Sequence, residues 1–538
     1  MQPRHDYVPQ KESTSVVFIL TSKLIYPNMK SMVCMLLLCM AAAKVSSYHI
    51  LGGFAIPSRS HNHLGKGVVD SLLKAGHQVT WITPYPFENK NKNLKLIPVA
   101  TQVIGESLNM MNPEVANRGI SLIKECALNV TSVTINTPAV REAIVNTKFD
   151  AVVTEWFFTD TDVGYAAVQQ VPWIVLVGTV YNSILEEMVD EVRSVPTVPI
   201  FLNNATIPMN FWQRLLNTGL HSLITLYNWW DRLSATERYN AYFSPLAAAR
   251  GVPLRPFSEA ANDLSILLVN GHPSFAPAQP VPPNVINVAG YHIPEDTPPL
   301  PKDLQDLLDS SKHGVVYFSM GSVLKSAALP EHIRRGLIQV LGELPYTVLW
   351  KFEEEISGLP KNVHVRPWMP QPSILAHPNV KLFITHGGLL SSLESLQYGV
   401  PLLAIPMFGD QRNNAQTAYQ NGYARQVVFG DDVADQLRVE LKEMLNNDKY
   451  YKRAKYLSRL FRNRPVPPSK LVSHYVELAI ETKGAHHLRS PSRQYAWYAR
   501  WMLDQAALLL VALYLVYRLA RALLSLCCGK YKQKIKTH

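Results

Sequence analysis

Cysteine is nearly missing from this chain, with five in 538 residues. Cys34 and Cys39 fall in an N-terminal apolar run and Cys527 and Cys528 at the end of a C-terminal one, so the body keeps only Cys126. One cysteine makes no internal disulfide, which leaves packing to hold the body together. Charge is also sparse, at 17% of residues, and the net +11 is badly placed for binding nucleic acid. Residues 1–47 carry five Lys/Arg against two acids, and residues 493–538 carry eight against one. What lies between is nearly neutral and offers no basic footprint for DNA or RNA. There is no internal repeat and no long low-complexity tract. With 47% apolar residues, the chain has material for two or three cored domains and does not resemble a disordered one.

The basic ends sit where membrane targeting uses them. Ser31–Ala43, preceded by Lys30 and followed by small residues, reads as the apolar region of a secretory signal within 1–47, with cleavage near Ser47. Residues 1–28 make a long leader before it, and Met29 or Met32 can serve as the start. Ala506–Cys528 is long enough to cross a bilayer once Arg518 and Arg521 snorkel, and the expected helix covers 501–528. Trp497, Tyr498 and Trp501 supply an interfacial belt, and Lys530, Lys532, Lys534 and Lys536 in the tail 529–538 belong on the cytoplasmic side. The expectation is a single-pass type I protein with a lumenal body. Lysines third and fifth from the end resemble a dilysine signal for return to the endoplasmic reticulum, the alternative being plain electrostatic flanking. Asn129-Val-Thr131 and Asn204-Ala-Thr206 are glycosylation sequons, consistent with a lumen.

From Tyr48 the pattern runs strand, turn, helix, strand: His49–Phe54, a polar turn, Leu64–Leu73 at helical spacing, then Gln78–Thr83. Asp150–Glu155 and Trp173–Gly178 read as further buried strands, so a parallel, helix-covered sheet is expected over 48–275. A proline-dense stretch, 276–301, reads as a linker. Alternation resumes over 302–465 with strands at Val315–Ser319, Thr347–Phe352, His364–Pro367, Leu382–Thr385 and Leu402–Ile405, which predicts a second α/β sheet of nucleotide-binding type; 466–500 returns toward the membrane. Phe211–Leu233, rich in Trp, Leu and Tyr, admits three readings: a membrane-surface helix, the wall of an apolar pocket, or an ordinary core helix.

The chemistry concentrates in Phe383-Ile-Thr-His386-Gly387-Gly388-Leu-Leu390-Ser391-Ser-Leu-Glu394, continuing through Gly399-Val-Pro401 to Asp410-Gln411. A strand ends at His386 and two glycines open a helix. Bare N–H groups there make an anion site, to which a histidine adds a donor and cationic neutralisation for a diphosphate. Glu394 suits ribose hydroxyls, and Asp410 and Gln411, after the next strand, suit sugar hydroxyls. In the first half, His61 ends the turn after the first strand and Glu155 ends a later one, which puts both at one sheet edge. A histidine titrating near neutrality can take a hydroxyl proton, and a carboxylate behind it fixes its tautomer. His63 competes for that role, with a surface position as its expected place.

The block from Phe383 to Gln411 resembles the signature of the UDP-glycosyltransferase family, and the similarity runs from about residue 48 to the tail, most like the membrane-bound insect branch. That resemblance implies a GT-B fold: two facing Rossmann-like α/β domains, the first for the acceptor and the second for the UDP-sugar. It implies His61 as catalytic base with Glu155 as partner, Trp368 as the uracil-stacking aromatic with Gln371 beside it, and Ser322 with His386, Gly388, Ser391 and Glu394 around the UDP. Asp410 and Gln411 would hold the donor sugar. Leu390 departs from the family's frequent Asn. No cofactor is implied, the UDP-sugar being a co-substrate, and the partners implied are a small lipophilic acceptor and the membrane; self-association is left open. The inferred chemistry is inverting, metal-independent transfer of a hexose, with glucose the expected sugar. Three alternatives were weighed against it: glucuronosyl transfer, a non-catalytic carrier, and metal binding at Asp160-Thr-Asp162.

Overall fold

The computed structural model describes residues 47–106, 119–189, 195–196, 198–200, 208–322 and 324–535. The signal region, Asn204 and Lys536–His538 lie outside them.

Two parallel sheets organise the body. The first has seven strands: β1 (His49–Gly53), β2 (Gln78–Thr83), β3 (Leu94–Pro98), β4 (Ala151–Trp156), β5 (Trp173–Val177), β6 (Leu264–Val269) and β7 (Val285–Asn287), in the order β3-β2-β1-β4-β5-β6-β7. The second has six: β8 (Val315–Ser319), β9 (Thr347–Lys351), β10 (Val363–Arg366), β11 (Val380–Thr385), β12 (Leu402–Ala404) and β13 (Ala424–Gln426), in the order β10-β9-β8-β11-β12-β13. Both are doubly wound, and in each the strand order reverses beside its first strand, between β1 and β4 and between β8 and β11. Ligands of such sheets bind outside the carboxyl ends of the strands at that reversal.

The strands are near-continuous apolar runs because both faces are covered. Along β4 and β5, Val152 and Val175 face one core cluster while Val153 and Ile174 face another. In the second sheet Tyr317 and Phe383 stack on one side, and Phe318 and Trp350 on the other.

The helices that matter here are α1 (Arg59–Lys74), α2 (Gly119–Asn136), α3 (Val163–Gln169), α4 (Phe211–Arg250), α5 (Leu389–Tyr398), α6 (Gln411–Gln420), α7 (Pro468–Glu481) and α8 (Leu503–Ile535). Helix α7 follows the second sheet in sequence but packs on the first domain, where Val472, Val476 and Ala479 join Ile50, Leu64 and Val68 in one cluster. Arg489 then ties the chain to Asp263 at 2.5 Å.

Several expectations need correction. The stretch expected as a linker contributes β7, paired with β6 through Leu267, Leu268 and Val269; three residues are too few to show a period. Leu94–Pro98, Leu264–Val269 and Ala424–Gln426 are strands that the pattern did not single out. Helix α8 starts at Leu503 and runs through Ile535, into the expected tail. Its Leu503–Leu526 part is long and apolar enough to cross a membrane, and none of it is buried against protein. Arg518 donates to the Tyr514 hydroxyl (2.9 Å) and Arg521 to that of Tyr517 (3.4 Å), which gives each guanidinium a polar partner one turn back. Asn129 is exposed but lies in mid-helix, on α2, with Thr131 turned inward to donate to Asp162.

Candidate active site

A cavity of about 670 Å³ opens between the two strand-reversal points and is lined from both domains. On the first-domain side, His61 belongs to the first turn of α1 rather than to the turn before it. Its Nδ1 lies 2.5 Å from Oε1 of Glu155, near the end of β4 and 4% exposed. Gly178, just past β5, makes room for the pair: a Cβ there would meet Glu155 Oε1 at 3.1 Å and His61 Cε1 at 3.7 Å. Phe157 packs edge-on against the His61 ring. Burial by itself would lower the His61 pKa, but the charge and hydrogen bond of Glu155, with the Asp410 charge from the other domain, outweigh it and raise the pKa above 6.5. With Nδ1 committed to the carboxylate, Nε2 remains for an acceptor hydroxyl.

His63 is half-buried on the cavity lining, not out on the open surface. Its ring lies against that of buried His292, 5.8 Å between centroids, and burial lowers its pKa. Leu122, Ile123, Val130, Phe157, Phe158 and Ile184 form an apolar wall on this side.

The second domain lines the opposite side. His386 follows β11, and its ring is wedged between two glycines: a Cβ on Gly321 would meet it at 2.6 Å and one on Gly388 at 2.5 Å. Gly321 and Gly387 have φ of +83° and +79°, a backbone that favours glycine. Burial, and after it the Lys351 charge, pushes His386 down to about 4. The expected cationic neutralisation by this ring is therefore corrected: near neutral pH it can donate a hydrogen bond but carries no charge. On this side the cavity is lined by the cation Lys351, at the end of β9 and 2.6 Å from Glu353, with Arg59 lining it from the first domain. The sequence reading missed Lys351, although a lysine closing an apolar strand at the ligand-binding edge was a usable signal.

Gly388 caps α5, whose Ser391 and Glu394 point back to Gln371. Gln371 Nε2 donates to Glu394 Oε2 at 2.6 Å and to Ser391 Oγ at 3.2 Å. Burial pushes Glu394 up to about 7, against the opposing pull of that Gln371 bond. Trp368 stands 62% exposed on the cavity rim, open for a flat ring, with Arg59 of the first domain 5.9 Å from its centroid. Ser322 lines the same side.

Asp410 accepts from Asn414 (2.7 Å), and burial raises its pKa. Gln411 differs from expectation in one respect: its Oε1 accepts from the Met407 and Phe408 amides (2.9 and 3.1 Å), so only its NH₂ group is left for a sugar. Leu390 lines the cavity and packs against the first domain's apolar cluster. Asp160 and Asp162 serve their own domain, accepting from Trp156 Nε1 (2.8 Å) and Thr131 (3.1 Å). Among the described residues no group of three or more His, Cys, Asp or Glu could hold a metal ion.

The arrangement sets a carboxylate-paired histidine opposite a glycine-flanked helix start and an open aromatic face, across one apolar-walled cavity. The chain as a whole is similar to known proteins. The family model described as UDP-glucoronosyl and UDP-glucosyl transferase matches residues 58–537. UDP-glucosyltransferase 2 of Dactylopius coccus is 31% identical over 472 residues, spanning 86% of this chain and 90% of that protein. UDP-glycosyltransferase UGT5 of the same insect is 32% identical over 492 residues, 87% and 90% of the two chains. UDP-glucuronosyltransferase 2B17 of Rattus norvegicus is 26% identical over 472 residues, 83% and 87%. Among solved structures, a glycotransferase of kitacinnamycin superposes with a TM-score of 0.55 at 18% identity, over 81% of this chain and 99% of that one, which bears on the fold alone.

Proposed function

Because the chain belongs to the UDP-glucuronosyl and UDP-glucosyl transferase family and has a GT-B fold, we propose that this glycosyltransferase moves glucose from UDP-glucose to a hydroxyl of a small lipophilic acceptor, with inversion and without a metal. The observation that carries the reading is the convergence of the His61–Glu155 pair and the Gly321/His386/Gly388 cradle on one cavity.

The residues divide the work. Trp368 stacks on the uracil, and Glu394, ordered by Gln371, accepts from the ribose. The amides at the start of α5, Ser322, Ser391 and the neutral His386 donate to the diphosphate, while Lys351 balances its charge. Asp410 and the Gln411 amide group orient the sugar. His61 takes the acceptor's proton as the oxygen attacks the anomeric carbon; the C–O bond to UDP breaks on the opposite face and UDP leaves with the bonding pair. Glu155 stabilises the imidazolium so formed.

The apolar wall favours a phenol, sterol or similar alcohol, a conjugation consistent with detoxification. Helix α8 anchors the enzyme in the endoplasmic reticulum membrane with its body in the lumen. Preference for glucose over glucuronate rests on the insect relatives. Turnover of UDP-glucose and UDP-glucuronate by membrane fractions against phenols and sterols, with and without chelator, tests the proposal. Loss of activity in chelator overturns the metal-free mechanism, and faster turnover with UDP-glucuronate overturns the sugar.

A further inference from the structure

The outer face of α4 belongs to no site described so far. Over Phe211–Leu233 the sequence allowed a core helix or a pocket wall, and the structure offers neither: no residue of α4 lines the cavity, and Trp212, Leu216, Leu223, Leu226, Trp230 and Leu233 are each more than half exposed. Their spacings of three, four and seven put them on one stripe of a helix. The charged residues of this stretch, Arg214, Asp231 and Arg232, fall off the stripe at 100° per residue. The opposite face does the packing, with Asn217, His221 and Ala235 buried. An open apolar stripe about 33 Å long, with Trp229 exposed at its edge, far exceeds the scattered leucines of an ordinary surface.

We infer that this stripe lies in the interfacial layer of the bilayer that α8 crosses, and that it turns the acceptor side of the cavity toward lipid. The inference rests on the membrane and acceptor readings proposed above. Three observations choose lipid as the occupant. Arg489 ties to Asp263 of the body and precedes Leu503 by a segment that spans no more than about 50 Å fully extended, so an anchored α8 keeps the body at the membrane surface. Trp212, Trp229 and Trp230 are of the residue type that settles at lipid–water boundaries, as are the exposed Trp497 and Trp501 just before the span. Finally, α4 adjoins the acceptor wall: Lys124 of α2 pairs with Asp231 (2.7 Å) and lies over the Tyr227 ring (4.5 Å), while neighbouring Leu122, Ile123 and Cys126 line the cavity. A lipophilic acceptor dissolved in the membrane would then enter beside α2 without crossing water.

The full-length protein in phosphatidylcholine nanodiscs doped with an acyl-chain diazirine lipid tests this. After photolysis, mass spectrometry should find lipid adducts on the 211–233 peptide as well as on 503–526. Adducts on 503–526 alone overturn the inference. Adducts on neither overturn it together with the anchor. Cross-links between the 211–233 peptides of two copies, in place of lipid adducts, give the stripe to self-association and also overturn it. The surface variant Trp212→Glu/Leu223→Glu/Trp230→Glu should raise KM at least tenfold for a membrane-partitioned sterol and less than twofold for a water-soluble phenol. No shift, or equal shifts, sinks the entry route. Loss of kcat for both acceptors, not KM, would instead point at the transfer reading.

Discussion

The two sides of the cavity are built on the same strand-reversal geometry yet hold their chemistry differently. On the first-domain side the reactive groups are completed by each other: His61 and Glu155 meet at 2.5 Å, and a glycine keeps the space open for them. On the second-domain side much of the work falls to backbone amides between glycines, an exposed tryptophan and a buried carboxyl pushed up to about 7. The first side is a pair of side chains held by mutual contact, whereas the second presents amides and an open ring. Damage to the first should therefore appear in kcat, and damage to the second in the KM for the sugar donor.

The largest effect tests the first half of that contrast. His61→Ala should lower kcat by about 10³-fold, within the range of general base catalysis, while UDP affinity by calorimetry stays within about twofold. Glu155→Gln should cost about 10²-fold, with a distinctive pH signature. The base must be neutral to accept a proton, and its pKa is raised above 6.5, so kcat/KM should fall as pH drops through that raised value. Removing the Glu155 charge leaves burial dominant and moves the acid limb to lower pH. An unshifted limb would mean that the carboxylate does not set the basicity of His61.

On the donor side, Trp368→Ala should raise the KM for the UDP-sugar about tenfold or more, the value of a stacked base, with kcat little changed. Glu394 accepts ribose hydroxyls best when ionised, so the donor KM should climb as pH falls below about 7. Glu394→Gln should remove that dependence and raise KM about tenfold at pH 8. A Trp368 or Glu394 variant that lost kcat at constant KM would erase the distinction between the two sides.

The same contrast explains what the sequence made legible. Gln78–Thr83 and Val315–Ser319 are strands with the limits their apolar runs predict, the first set between Gly76-His77 and Pro84 and the second between Gly314 and Met320-Gly321. Ala424–Gln426 escaped notice since Arg425 and Gln426 look like loop, and Val285–Asn287 since prolines surround it. The donor side lies largely in one block of about thirty residues, so its members could be named together. His61 and Glu155 are 94 residues apart and could be paired only through the shared edge of a parallel sheet. The depressed pKa of His386 was out of reach, because it depends on burial and on Lys351 facing it from another strand. Composition singled out Phe211–Leu233, the first part of α4, but could not say which of its faces the fold would cover.

The smallest effect concerns Leu390, where the family often has Asn. The side chain lines the cavity and also packs on the apolar cluster of the first domain, so it belongs to the contact between the two sides rather than to the diphosphate alone. Leu390→Asn offers a new amide donor near the start of α5 while removing part of an apolar interdomain contact. The first effect should tighten the donor, and the second should cost stability. Because Leu390 is only partly buried, that cost should stay near 1 kcal/mol, below the range for deleting a fully buried leucine. The expected result is a donor KM changed by no more than about threefold and a melting temperature lower by a few degrees. A tenfold lower KM with unchanged melting would show that the amide restores a phosphate contact this chain has given up. A large loss of kcat would show that the leucine sets how the two sides meet, and the assignment of kcat to one side and KM to the other would then fail at their boundary.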